Sequence, residues 1–270
     1  MADFAHYVRR EVIEVNYEDA SAPWFSRNQP DTQGFESPSY HVTRSTSGPA
    51  KRVVTGDVLW LFSQLFTPWG KFPPSLDAKI FVNAVKIDSA SSAQRVKSHK
   101  IIYEAGVGSK WFPLSDATTV IRQLHTVDQS RTIRALLSYP EQHIGQALQS
   151  MREVANPELL VEWEHRLEAS PPDFISYRLI DGTRLAYEKA LKLVKEGRPV
   201  FWDRWSLPRR LAERREFLDD ETLDAHLHKV IGQCRMVWGI RSARYGEPGS
   251  YSARELNEAQ RLRKLKFYPS

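Results

Sequence analysis

The chain has 270 residues, more than one compact domain usually holds, with 41% hydrophobic and 26% charged side chains and a formal net charge of +5. No run approaches the roughly 20 apolar residues of a membrane span, and the opening Met1-Ala2-Asp3-Phe4 has neither the basic nor the apolar region of a secretory signal. The single cysteine, Cys234, excludes an internal disulfide, so a cytoplasmic protein is expected. Charge is uneven: residues 1–170 carry 18 basic and 19 acidic side chains, and residues 171–270 carry 20 and 14. The excess, sharpest at Arg204, Arg209, Arg210, Arg214 and Arg215, fits a phosphate-bearing ligand or nucleic acid. It fits equally a solvated face balanced by Glu213, Glu216, Asp219 and Asp220.

In chain order, Tyr7 to Tyr17 alternates as an opening strand, and a Pro/Ser/Gly/Asn-rich loop runs from Glu18 to Ala50. Val58–Phe62 follows Gly56-Asp57 as a continuous apolar run, and Ala78–Val85 is bounded by Pro73-Pro74 and Asp88-Ser89; both predict strands. Ile101–Tyr103 and Trp111-Phe112 add short ones, giving a β-rich domain over 1–130 of the small-barrel or curled-sheet kind. Helical spacing then takes over at Ala117, Val120, Ile121 and Leu124, at Ile144, Ala147, Leu148 and Met151, and after Pro157 at Leu159, Leu160, Trp163 and Leu167. Residues 131–171 read as a helical connector that stops at Pro171-Pro172.

Over 172–270 strands and helices alternate. Strands are expected at Phe174–Tyr177, Pro199–Trp202, Met236–Ile240 and Leu265–Tyr268. Between them lie a helix opened by Asp181-Gly182-Thr183 and ended by Gly197, one over Leu223–Ile231, and one over Ser252–Leu262. Such alternation predicts an α/β unit with a parallel sheet and right-handed crossovers. Glu255 stands near the start of the last helix, after the loop that leaves the third strand, and ligands collect beyond the carboxyl ends of such strands.

The run Phe174-Ile175-Ser176-Tyr177, the loop Asp203-Arg204-Trp205-Ser206-Leu207-Pro208, the spacing Ser242-x-x-Tyr245 and the helix start Tyr251-Ser252-x-x-Glu255 together resemble the Toll/interleukin-1 receptor (TIR) domain in its bacterial forms. The resemblance covers about a hundred residues and implies a flavodoxin-like parallel sheet. The chain as given stops at Ser270, so the family's fifth strand and last helix are not expected. The charged stretch Arg209–Glu221 is longer than the family's usual second loop.

Many bacterial TIR domains cleave NAD between nicotinamide and ribose, and the resemblance implies an NADase of antiphage defence, with NAD as substrate and no cofactor or metal. Bond breaking there develops oxocarbenium character on the ribose, which one nearby carboxylate stabilises. Glu255 matches the family's glutamate. Ser176, Tyr177, Arg178, Asp203, Trp205, Ser242, Tyr245 and Tyr251 match the surrounding motifs and are the expected substrate-binding residues. Each has a plainer role beside it: Glu255 as a favourable charge near a helix dipole, Tyr177 and Trp205 as packing, Asp203 as a loop brace, Cys234 as core. The resemblance also implies activation through homo-oligomer assembly, a partner protein or a nucleotide or nucleic-acid trigger.

The run Thr55-Gly56-Asp57-Val58-Leu59-Trp60-Leu61-Phe62 with Pro73–Ile80 resembles PUA-like domains of the EVE and ASCH kind. Those bind a nucleotide or modified base in an aromatic groove, for which Trp60, Trp69, Phe72 and Trp111 are candidates; core packing is the alternative, above all for Trp60. Elsewhere the chemistry is thin. The eight histidines show no metal-ligand spacing beyond His226-x-His228, and Gly106-Val107-Gly108 lacks the rest of a phosphate-cradling loop. A non-enzymatic TIR-like adaptor, a nucleic-acid-binding protein and a nucleoside deoxyribosyltransferase are the competing readings.

Overall fold

A computed structural model describes residues 1–11, 37–44, 48–90, 98–128, 130–207 and 220–269. The arginine-rich stretch 208–219 and most of the 18–50 loop, as well as the expected strand beyond Glu11, lie outside the described residues.

The larger unit is a nine-stranded mixed sheet of the order β11-β10-β12-β1-β4-β7-β8-β3, with β9 on β7. Its strands are β1 (Asp3–Tyr7), β3 (Tyr40–Thr43), β4 (Val58–Ser63), β7 (Ser75–Ala90), β8 (Ser98–Ala105), β9 (Lys110–Trp111), β10 (His125–Val127), β11 (Ile133–Ala135) and β12 (Arg152–Val154). Three short strands, β2 (Arg10–Glu11), β5 (Leu65–Thr67) and β6 (Gly70–Lys71), make a separate small sheet. Helix α1 (Pro49–Arg52) precedes β4, and α2 (Thr118–Gln123), α3 (Ile144–Ala147) and α4 (Glu158–Glu168) follow the main strands.

β4 is buried along its whole length, which is why its sequence is apolar without alternation. Val58, Trp60 and Phe62 face one core with Ile121, Leu124, Ile144, Leu148 and Leu160. Leu59 and Leu61 face a second core with Ile80, Val82, Ile101 and Tyr103. A register shift between Leu61 and Phe62 turns Leu76 of β7 toward the first core, while Ala78, Ile80 and Val82 stay in the second. The sheet curls around that second core. β1 and β3 lie four strands apart along the ladder, yet His6 Nδ1 and His41 Nε2 meet at 2.7 Å.

The segment 131–171, expected as a helical connector, holds α3 and α4 but is not helical throughout. It supplies β11 and β12, and β12 pairs antiparallel with both β1 and β10. The helical spacing at Ile144–Met151 yields only the single turn of α3, because Met151 turns to the second core as the chain enters β12.

The second unit is a four-stranded parallel sheet in the order β14-β13-β15-β16, from β13 (Asp173–Ser176), β14 (Val200–Phe201), β15 (Met236–Ile240) and β16 (Leu265–Tyr268). Its helices are α5 (Leu179–Lys195), α6 (Asp203–Ser206), α7 (Asp220–Gln233) and α8 (Tyr251–Arg261). The order reverses direction between β13 and β15, and open α/β sheets generally have a ligand crevice beyond the carboxyl ends of strands at such a reversal. α7 and α8 pack with Phe174, Phe201 and Val237. α5 presents Ala186, Tyr187, Ala190, Leu193 and Val194 to a core shared with Leu65, Phe72 and Leu114 of the first unit.

The chain is of mixed α/β class, and no linker separates its two units. Leu114 exchanges two backbone hydrogen bonds with Val200, 3.0 and 2.8 Å, and so covers the edge strand β14. Among the described residues no helix is long and apolar enough to cross a membrane.

Candidate active site

Ser176 ends β13 at zero exposure, where the strand gives way to the turn before α5. Ser250 caps α8 by accepting a 3.1 Å bond from the Ala253 amide, which starts the helix and brings Glu255 round one turn later. The Ser176 hydroxyl donates to Glu255 Oε2 at 2.6 Å, and the Tyr245 hydroxyl donates to Ser176 Oγ at 2.9 Å. A directional chain, Tyr245 to Ser176 to Glu255, therefore runs across the crevice. Gly239 allows it: a Cβ there would stand 2.8 Å from the Tyr245 hydroxyl.

Beside this chain Tyr177 donates to Asp203 Oδ1 at 2.7 Å, and Arg204 Nε donates to the Tyr177 hydroxyl at 3.1 Å. Asp203 also accepts from the Arg204 amide at 2.8 Å. Burial pushes the Glu255 carboxyl up to about 8; the negative charges of Asp203 and Asp224 add to the rise, while the Ser176 bond and Arg254 oppose it. Burial likewise raises Asp203, Tyr177 and Tyr245. Arg254 is engaged by Asp224 and stacks 4.2 Å over Tyr251, and among the described residues no cation forms an ion pair with Glu255. At pH 7 the carboxyl holds its proton, and an entering cation would release it.

Two loops meet over the crevice. Asp181 accepts from Ser242 Oγ at 2.8 Å and from the Arg244 amide at 2.9 Å. Glu247 takes Arg178 at 3.3 Å and Arg244 at 2.8 Å. Ser242 and Arg178 thus serve a bridge across the mouth. Asp181 was expected only as a helix opener, but α5 starts two residues earlier and Asp181 falls in its first turn, toward the facing loop. The site roles of Asp181, Glu247 and Asp224 have no local signal in the sequence, since each acts on a residue that the fold brings to it.

Ser176, Tyr177, Asp203, Tyr245 and Glu255 are brought together. Tyr251 packs instead on the core under α7 and α8. Trp205 does not face the crevice: it is 2% exposed, and its indole donates to the Phe112 carbonyl at 2.9 Å in the core between the units. The three tryptophans proposed for an N-terminal groove do not converge. Trp60 is fully buried and donates to Asp3 at 2.7 Å, Trp69 packs on Tyr187 in the shared core, and Trp111 lies against the second core. Cys234 is buried, its thiol pushed up to about 11, and it donates to the Ile231 carbonyl; this is core chemistry. No group of three or more metal-ligating side chains occurs among the described residues.

Comparison with known proteins returns nothing: no family model, no curated protein and no solved structure matches the chain.

Proposed function

We propose that the carboxyl edge of the parallel sheet is a TIR-type site that cleaves the nicotinamide–ribose bond of NAD, with Glu255 as the catalytic carboxylate. The observation that carries this reading is a carboxyl group sunk at the strand-order reversal, hydrogen-bonded by Ser176 and paired to no cation among the described residues. NAD brings a positively charged pyridinium, and a cation beside Glu255 favours its ionised form. As the C1′–N bond lengthens, the bonding pair leaves with neutral nicotinamide and positive charge moves to the ribose, next to the carboxylate. Water then adds to C1′ and releases one proton, giving ADP-ribose; closure by a hydroxyl or ring nitrogen of the same molecule gives a cyclic product. Tyr245 and Ser176 hold the carboxyl in place, and the strand order 2-1-3-4 agrees with a flavodoxin-like, TIR-like sheet.

In this reading the curled N-terminal sheet is the sensing or partner-binding part of a bacterial defence effector, PUA-like in kind, which restrains the enzyme until assembly or a ligand releases it. A second reading, a non-enzymatic TIR-like assembly module, is favoured by the Asp181 and Glu247 bridges over the mouth.

Concentrated full-length protein, incubated with NAD, should release nicotinamide, and Glu255→Gln should lower that rate by about a hundredfold or more. Because the free carboxyl titrates near 8, kcat/KM should climb with pH to about that value and then level. Undiminished turnover in Glu255→Gln would remove Glu255 from the reaction. Assembly without any NAD loss would favour the module.

A further inference from the structure

We propose that Arg10 is a positioning residue for the candidate site: from β2, in the small sheet of the N-terminal unit, it fixes the seat of α6, and with it the place of Asp203 near Glu255. That the site acts on NAD rests on the reading above; the placement does not.

α6 is a single turn, in which the amides of Trp205, Ser206 and Leu207 bond back to Trp202 and Asp203. One turn does not hold itself in water, so its place is set by what grips it. The Arg10 guanidinium stacks 3.7 Å over the Trp205 ring, and its Nη1 donates to the Trp205 carbonyl at 3.0 Å. Its Nη2 pairs with Asp77 Oδ1 of β7 at 2.7 Å, and the Ser63 hydroxyl of β4 holds the other Asp77 oxygen at 2.6 Å. The Trp205 indole closes the grip on Phe112. Two residues before Trp205, Asp203 turns the opposite way and meets Tyr177, next to Ser176 in the chain.

Arg10 and Asp77 are both about 2% exposed at the side chain. A buried ion pair of this kind is seldom a net gain in stability over two well-packed apolar residues, so stability alone does not account for it. What it supplies is geometry. The planar fork bonds a carboxylate and a carbonyl while its face lies on an indole, a combination that lysine cannot reproduce. The path from β4 and β7 through Asp77, Arg10 and Trp205 to Asp203 is continuous and joins the two sheets at the site.

The consequence is electrostatic and needs no substrate to be read. The groups that act on the Glu255 carboxyl include Asp203 from α6, Asp224 from α7, Arg254 on its own helix, the Ser176 hydroxyl of β13 and, behind it, the Tyr245 hydroxyl. If α6 drifts, the negative charge of Asp203 withdraws and water enters, and both changes ease Glu255 ionisation. The full chain, labelled with 13C-glutamate, would be titrated by NMR, with the Glu255 carboxyl assigned by its loss in Glu255→Gln. Arg10→Lys keeps a cation against Asp77 and loses the stacked fork; Arg10→Met with Asp77→Leu removes both buried charges. In each, the Glu255 midpoint is expected to fall by about one pH unit. Amide exchange at Trp205, Ser206 and Leu207 should quicken by about tenfold, with α8 unchanged.

An unmoved Glu255 midpoint in folded Arg10→Lys would overturn the proposal, and so would loss of the fold in that variant, because Arg10 would then be a stability residue only. A moved midpoint in a protein that never cleaves NAD would uphold the placement while the NAD reading fell. NAD cleavage with an unmoved midpoint would do the reverse.

Discussion

At the amino end of the parallel sheet Asp173 is wholly buried and takes two guanidinium groups, Arg198 at 2.5 Å and Arg235 at 2.8 Å. At the carboxyl end of the same sheet Glu255 is also sunk in the protein, takes a hydroxyl, and lies near two further acids. Both carboxyls are raised by burial, but at Asp173 the Arg235 guanidinium and then Lys189 pull against the rise, whereas at Glu255 Asp203 and Asp224 add to it. The difference separates two uses of a buried acid. A carboxylate matched to cations fastens elements together; one left short of cations keeps a proton near neutrality and is ready for a positive charge from outside.

That contrast is broken or upheld by the sign of two stability changes. Asp173→Ala leaves Arg198 and Arg235 facing an apolar strand end, and should cost about 2–3 kcal/mol, discounted for the half-exposed Arg235, in urea unfolding at pH 7. Glu255→Gln should stabilise. The unfolded carboxyl loses its proton near 4.5 and the folded one near 8, so between these values the folded chain binds the extra proton and stability falls as pH rises. The glutamine is exempt from this loss. Its advantage should be small at pH 5, grow to about 4 kcal/mol by pH 8 and level off just above. A Glu255→Gln variant less stable than the parent at pH 8 would place Glu255 with Asp173 among the fastening acids.

The sequence makes the second unit largely legible because its strands are short apolar runs closed by local signals, such as Gly197, which takes φ 75° at the end of α5. All four strands, and the helix that carries Glu255, stand within a residue or two of where periodicity puts them. What was not legible depends on pairings between distant residues. β12 is three residues of ordinary sequence, Arg152–Val154, and becomes a strand only because β1 and β10 flank it. Trp205 follows Asp203 in a loop motif and invites a stacking role, yet its fate is decided by Phe112 and Arg10, 93 and 195 residues away in the chain. The curl joining His6 to His41 leaves no local pattern either, since each histidine reads alone as one position of an alternating strand.

The smallest predicted effect sharpens the comparison most, because it separates access from stability at the open end of the sheet. The Asp181 bonds to Ser242 and the Arg244 amide join exposed groups, and such contacts add little to folding. Asp181→Ala should therefore move Tm by less than about 2 °C. Yet those bonds tie the first turn of α5 to the β15–α8 loop at the strand ends where Ser176 meets Glu255, so releasing them should widen entry to the carboxyl. Water reaching Glu255 lowers the penalty on its charged form, and its titration midpoint should fall from about 8 toward the ordinary carboxylate range. If NAD is the substrate, the same variant should show a lower KM, with kcat changed less, since Asp181 bonds neither the Ser176 nor the Tyr245 hydroxyl. An Asp181→Ala protein with unchanged midpoint and unchanged KM would mean that the bridge is a surface contact only, and that entry to Glu255 lies elsewhere around the strand ends.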